Sequence, residues 1–164
     1  MADHDPLFHD DMPLGEARSV LRGLVDDGAR CPCCTQLAKV YARKINSGQA
    51  AGLIRFYRNV GALRFAHLPT LGLSSLGGEF ARLRFWGLVE EEPVFRSDGG
   101  RAGYWRVTVA GEAFVLGRLE VQKYARIYDG RCLGLTGPPV SIVDALGDRF
   151  SYTELMARPE AVAA

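Results

Sequence analysis

The residues best suited to chemistry are three cysteines in the segment CPCC at positions 31–34. Cys31 and Cys34 have the C-x-x-C spacing with which a tight turn can present two thiolates to one zinc ion. A structural zinc site needs two further ligands. The candidates in the sequence are Cys33, His67 and Cys132. Two chains that share one zinc ion would also complete the site, and the protein would then be a homodimer.

The same cysteines are also consistent with ordinary reduced thiols at the start of a helix. Their crowding does not suit a disulfide framework. A redox pair with C-x-x-C spacing normally accompanies a thioredoxin-like βαβ pattern, whereas this part of the sequence has helical periodicity. Zinc and reduced thiols therefore both stay open, and a thiol-dependent function fits the pattern less well.

The sequence lacks the motifs of the common enzyme classes. It contains no G-x-S-x-G, no Walker loop and no dinucleotide-binding glycine fingerprint. Its three histidines are too few for most histidine-based sites. A pair of Cys34 and His67 could act as nucleophile and base, but no third member is identifiable. We therefore expect a protein that is not an enzyme.

Charge is distributed unevenly along the chain, although the net charge is only +1. Residues 1–13 carry aspartates but no lysine or arginine, and residues 31–78 contain no acidic residue. Lys39 and Arg43 would share one face of a helix at 35–46. A segment of one sign suggests a phosphate-rich partner or an acidic protein surface. The simpler explanation is a solvated face that is balanced by acids elsewhere in the fold.

Composition and periodicity divide the chain into three parts. Residues 1–13 predict a disordered acidic tail, because they are polar and have no period. Residues 14–119 predict a helical segment followed by a helix, a hairpin and a second helix. Residues 120–164 predict a small α+β appendage whose hairpin turns at Asp129-Gly130.

The elements within residues 14–119 follow from apolar spacing and turn residues. The predicted helices are 14–27, 35–46, 49–60, 74–86 and 110–119, and the predicted strands are 63–68, 88–95 and 104–109. No apolar run is long enough to span a membrane, and the N-terminus does not resemble a secretory signal. We therefore expect a cytoplasmic protein without a membrane partner.

Two segments in the middle of the chain carry a family resemblance. LRFWGLVEEE at 83–92 resembles the passage from recognition helix to wing in winged-helix regulators of the multiple-antibiotic-resistance type. YWRVTVAGEAFVLG at 104–117 resembles the exit from that wing, with Thr-x-x-Gly before a helix. The resemblance extends from Ser74 to Arg118.

The resemblance implies a mostly helical α+β fold, in which a winged helix follows basic N-terminal helices and precedes a β-hairpin appendage. It implies a transcription regulator that binds duplex DNA, with helix 74–86 in the major groove and the wing along the backbone. The DNA-contacting residues would be Ser75, Glu79 and Arg82 in the groove, Ser74 and Gly78 near phosphates, and Arg96 and Arg101 on the wing. Lys39 and Arg43, on the predicted helix 35–46, would add phosphate contacts.

One departure from the family pattern favours a different partner. Few residues separate the predicted strand 63–68 from helix 74–86, so a full second helix of a helix-turn-helix does not fit. Winged helices that bind protein are common, and the alternative function is a protein-interaction adaptor that grips a host or phage protein. Arginines gathered on one surface would favour DNA, and an exposed apolar patch would favour the adaptor.

A second, looser resemblance covers the whole chain. The CPxC segment, the Lys-x-Tyr-x-Arg-Lys pattern at 39–44 and the ending DALGDRFSYTELM at 144–156 look like small bacteriophage-encoded proteins of no settled activity. This resemblance implies a phage-related setting and no particular mechanism.

Overall fold

The computed structural model describes residues 7–74, 77–94, 97 and 103–157. The chain divides into two compact units. Unit 1 comprises Met1–Arg43 and Arg126–Gly134, and unit 2 comprises Lys44–Ala125 and Leu135–Ala164. Helices and small antiparallel sheets occur together, so the predicted α+β class is confirmed. Among the described residues, no helix is long and apolar enough to cross a membrane.

Unit 1 begins with helix α1, Leu14–Leu24, which is followed by strands β1, Ala29–Arg30, and β2, Leu37–Ala38. The two strands pair antiparallel, with Ala29 opposite Ala38. Phe8 is buried, although it belongs to the predicted tail 1–13, of which residues 1–6 lie outside the described residues.

The predicted helix at 35–46 is wrong. This stretch contains β2 and a further strand, β3, Tyr41–Lys44, which is hydrogen-bonded in a sheet. Thr35 has left-handed backbone geometry, with φ of 61°, and it interrupts any helix that starts at the cysteines. A helix of about twelve residues is only marginally stable by itself, so strand pairing outweighs its local periodicity. Lys39 and Arg43 therefore do not share a helix face.

Strand β3 belongs to a sheet with β7, Val121–Tyr128, and β8, Arg131–Val140, in the order β3–β7–β8. Asp129 and Gly130 connect β7 to β8 with φ of 50° and 70°. Positive φ at both central residues is what a two-residue hairpin turn requires. The predicted hairpin at Asp129-Gly130 is confirmed.

Helix α2, Ser47–Val60, is the central helix of unit 2. It begins with a capping box in which the Asn46 side chain accepts from the Gln49 backbone N–H and the Gln49 side chain accepts from the Asn46 N–H. The N-cap is thus Asn46, and the helix begins two residues before the predicted start at 49. Leu53 and Phe56 of this helix are fully buried.

The elements that follow α2 have the order strand, helix, helix, strand, strand, helix. They are β4 (Ala66–His67), the 3₁₀ helix Leu68–Leu71, α3 (Gly77–Arg82), which continues as the 3₁₀ helix Leu83–Trp86, β5 (Val89–Glu91), β6 (Tyr104–Val107) and α4 (Val109–Val115). Strand β6 lies between β4 and β5 and is antiparallel to both. Where the sequence left no room for a full second helix, the chain forms a four-residue 3₁₀ helix.

The C-terminal part of unit 2 packs against α2 through α5, Ile142–Leu146, and α6, Tyr152–Ala157, with the 3₁₀ helix Gly147–Arg149 between them. The Tyr152 hydroxyl donates to the Val115 carbonyl over 2.9 Å and so ties α6 to α4. Tyr57 of α2 donates to Glu112 of α4 over 2.9 Å, and this hydrogen bond raises the pKa of Tyr57 above its ordinary value.

Candidate nucleic-acid interface

Glu79, on α3, is held by the start of α2. The side-chain amides of Asn46 and Gln49 both donate to its Oε2 atom over 3.1 Å. Arg82, one turn further along, forms an ion pair with the other carboxylate oxygen. The Gln49 side chain is only 3% exposed, so its amide N–H group needs an acceptor within the protein, and Glu79 supplies one. The carboxylate that the resemblance assigned to the groove thus contacts the neighbouring helix.

The inner side of α3 and of the 3₁₀ helix that follows it is apolar. Phe80 is fully buried and lies against Phe56 at a ring-centroid distance of 5.1 Å and edge-on to Trp105 at 6.2 Å. Trp86 is buried, and its indole N–H donates to the Gln122 carbonyl over 2.7 Å. These contacts fix the rotation of the segment, so its other side faces solvent.

The solvent side of this segment carries two arginines. The Arg82 side chain is 46% exposed despite its ion pair with Glu79. Arg84 is exposed as well, and its guanidinium lies 5.1 Å from the Phe85 ring centroid. Arg84 was not among the predicted DNA-contacting residues, because α-helical spacing from Arg82 places it on another face, whereas the chain here has 3₁₀ geometry. Ser74 and Gly78 are also exposed.

Part of the predicted DNA-contacting set falls on the chain segments that are not described. Ser75, Arg96 and Arg101 lie outside the described residues. The strands that lead to and from the wing are paired, with Glu90 opposite Arg106. The Arg106 guanidinium forms an ion pair with Glu90 and lies 4.7 Å from the Phe65 ring centroid, so this cation is engaged within the unit.

The residues that carry the family resemblance form a tight junction between the start of β5 and the start of α4. The Thr108 hydroxyl donates to the Gly87 carbonyl over 2.6 Å and accepts from the Gly111 N–H over 3.0 Å. The Thr108 N–H donates to the Leu88 carbonyl over 3.1 Å. Gly111 approaches Leu88 so closely that a Cβ atom there would lie 2.0 Å from the Leu88 oxygen. Thr-x-x-Gly is therefore a structural device that positions α4 against the end of the arginine-bearing segment.

The residues suggested for zinc are distributed over both units. His67 belongs to unit 2, where it pairs with Tyr104 across β4 and β6 and stacks on its ring at 5.1 Å. Cys31, Cys33 and Cys34 belong to unit 1. Cys132 of unit 1 is exposed, and its thiol donates to the Gly134 carbonyl. Within the described ranges, no group of three or more potential ligand side chains is gathered around a common point.

The cysteine segment forms a tight turn between β1 and β2. The Cys31 N–H donates to the Gln36 carbonyl, and the Thr35 N–H donates to the Cys31 carbonyl, each over 2.9 Å. The pKa of the Cys31 thiol lies below its ordinary value, chiefly because the backbone N–H groups of Cys34 and then Cys33 donate to its sulfur. The turn thus favours a Cys31 thiolate, the form in which cysteine binds a metal.

Lys39 and Arg43 are exposed in the same unit, and the Arg43 guanidinium lies 5.2 Å from the Tyr41 ring centroid.

Comparison with known proteins gave no match to any family model, to any curated protein or to any solved structure.

Proposed function

We propose that this protein is a winged-helix regulatory protein that binds duplex DNA through α3, the 3₁₀ helix after it, and the wing between β5 and β6. The observation that carries the proposal is the arrangement of unit 2. In unit 2, α2, β4, the 3₁₀ helix Leu68–Leu71 and α3 precede the hairpin formed by β5 and β6. Strand β6 lies between β4 and β5 in the sheet. This is the arrangement expected if a helix is to enter the major groove beside a wing.

The exposed arginines supply a chemical reason for DNA as the partner. Arg82 and Arg84 project from a segment whose opposite side is fixed by buried aromatic rings. Guanidinium groups bind phosphates and the O6 and N7 atoms of guanine through paired hydrogen bonds. The helix α3 is short, so we expect most of the affinity to come from phosphate contacts and less from base reading.

The first test is the binding of a random-sequence duplex, measured by fluorescence anisotropy over a range of salt concentrations. We expect the logarithm of affinity to fall linearly with the logarithm of salt concentration, with a slope of about −0.9 for each phosphate neutralised. Arg84→Gln should weaken binding to all duplexes and make the slope about 0.9 shallower. Arg82→Ala should also reduce discrimination between sequences.

Arg118→Gln is the matched control, because Arg118 is exposed in the same unit but lies beyond α4. If Arg118→Gln changes the salt slope as much as Arg84→Gln does, the contact surface is not the one proposed. Absence of binding at low salt would remove the DNA proposal.

A protein-interaction adaptor is the second candidate, and exposed apolar side chains favour it. Leu63 and Val109 are 53% and 65% exposed. Both lie near Val107, because the Leu63 N–H donates to the Val107 carbonyl and Val109 follows Val107 by two residues. Tyr104, on the same strand as Val107, is also exposed. Leu63→Ser with Val109→Ser should abolish partner binding in the adaptor and leave DNA binding by the regulator unchanged.

A zinc ion held by Cys31 and Cys34 is a separate proposal, and the backbone N–H groups directed at the Cys31 sulfur support it. We expect elemental analysis of protein purified without chelator to give one zinc ion per complete site, and one zinc per two chains if a homodimer shares it. Cys31→Ser should abolish the metal, whereas Cys132→Ser is the control for a thiol outside the turn. Metal-free protein whose turn cysteines all react with an alkylating reagent would show that these are simple thiols.

A further inference from the structure

Unit 2 contains a second cationic feature, at the C-terminal end of α2. A cavity of about 200 Å³ is lined by Arg55 and Arg58 of α2, by Arg149 and Phe150 before α6, and by Ser151 and Glu154 at the start of α6. We call it the arginine pocket. Among the described residues, α3 and the 3₁₀ helix after it contribute none to its lining.

The guanidinium groups in the pocket are oriented by an aromatic ring. The Arg55 and Arg149 guanidinium carbons lie 5.8 and 5.3 Å from the Phe150 ring centroid. Cation–π contacts of this kind hold a guanidinium plane without using all of its N–H donors. Among the described residues, neither Arg58 nor Arg149 forms an ion pair. The donors of these two arginines are therefore available to a ligand.

The charges and the size of the pocket indicate what that ligand is. The unused donors are those of Arg58 and Arg149, and Glu154 is the one acid among the described residues that line the cavity. A phosphomonoester carries nearly two negative charges at neutral pH and has three acceptor oxygens, whereas a carboxylate has one charge and two oxygens. The cavity is below the usual range for a drug-sized ligand, so it accommodates a phosphate with a small attached group.

The pocket faces away from the proposed DNA-binding segment. Gln49 and Phe56 of α2 contact Glu79 and Phe80 of α3. Arg58 follows Phe56 by two positions, and two positions on an α-helix correspond to a rotation of about 200°. One straight duplex seated on α3 therefore does not reach Arg58 on the opposite side of α2.

We propose that the arginine pocket binds the phosphomonoester group of a small ligand, at a site separate from the proposed DNA interface. The phosphate oxygens accept hydrogen bonds from Arg58 and Arg149. The Ser151 hydroxyl and the Asn59 amide, which also line the cavity, are available to polar groups on the attached moiety.

The experiment is a titration of the full ¹⁵N-labelled chain with glycerol phosphate or inorganic phosphate at constant ionic strength, followed by NMR. We expect saturable shifts of the Phe150 and Ser151 amide signals, and none with glycerol. Arg58→Gln and Arg149→Gln should each raise the dissociation constant about tenfold, because each removes a charge-assisted hydrogen bond. Arg118→Gln, the control, should leave it unchanged.

Two outcomes would overturn the proposal. In the first, phosphate shifts are unsaturable, or are the same in the two pocket variants and the control. In the second, a DNA duplex without terminal phosphate groups produces the same Phe150 and Ser151 shifts. The pocket would then be part of a nucleic-acid interface. Neither result depends on Arg82 or Arg84. The proposed DNA binding is therefore tested independently, by the salt titration.

Discussion

Replacement of Gly111 by alanine is expected to destabilise unit 2 by roughly 3 kcal/mol or more. The new Cβ atom would lie 2.0 Å from the Leu88 backbone oxygen and 2.8 Å from a methyl group of Val107. The Leu88 carbonyl is not free to move away, because it accepts the Thr108 N–H. Relief of the clash therefore requires α4 to shift, and the shift breaks the hydrogen bond from the Gly111 N–H to Thr108.

The measurement is urea denaturation followed by tryptophan fluorescence, since Trp86 and Trp105 are both buried in this unit. Gly78→Ala is the matched control, because Gly78 lies in α3 and a Cβ there has no neighbour within 4 Å. Alanine is the better helix former, so this variant should be as stable as the parent or more stable by up to about 1 kcal/mol. Equal stability of the Gly111→Ala and Gly78→Ala proteins would contradict the close approach at Leu88.

The junction around Gly111 explains why this part of the fold could be anticipated from the sequence. Thr108 and Gly111 are three residues apart, and both act locally, one as the N-cap of α4 and the other as its point of contact with Leu88. Local signals of this kind also predicted α2 and the turn at Asp129-Gly130. Each depends on a few neighbouring residues and does not require knowledge of distant strands.

The stretch at 35–46 shows the opposite case. Its apolar spacing is that of a helix, but its conformation is set by strands far away in the sequence, because β3 pairs with β7. The spacing of apolar residues within one segment carries no information about pairing with a strand that is distant in the sequence. The arginine pocket was missed for the same reason. Arg58 and Arg149 are 91 positions apart and line one cavity only because the C-terminal helices pack on α2.

Glu79 is the residue whose replacement separates a structural role from a DNA-reading role. We expect Glu79→Ala to lower the free energy of unfolding by about 2 kcal/mol, because the buried Gln49 amide and the Asn46 amide lose their shared acceptor. We also expect it to tighten binding to random-sequence duplex by roughly threefold, because Arg82 loses its carboxylate partner and the local charge becomes more positive. Stability and affinity should therefore change in opposite directions.

The matched comparison is Glu79→Gln, which removes the charge but keeps an oxygen that can accept from Asn46 or Gln49. This variant should recover about half of the lost stability and retain the increase in affinity for duplex DNA. Both properties are measured under conditions in which all proteins are folded, with urea denaturation for stability and anisotropy for binding. A loss of affinity in both variants would instead place the Glu79 carboxylate at a base edge, as an acceptor for the cytosine amino group. In that case the contact with α2 would be broken when DNA binds, and α3 would have to move away from Asn46 and Gln49.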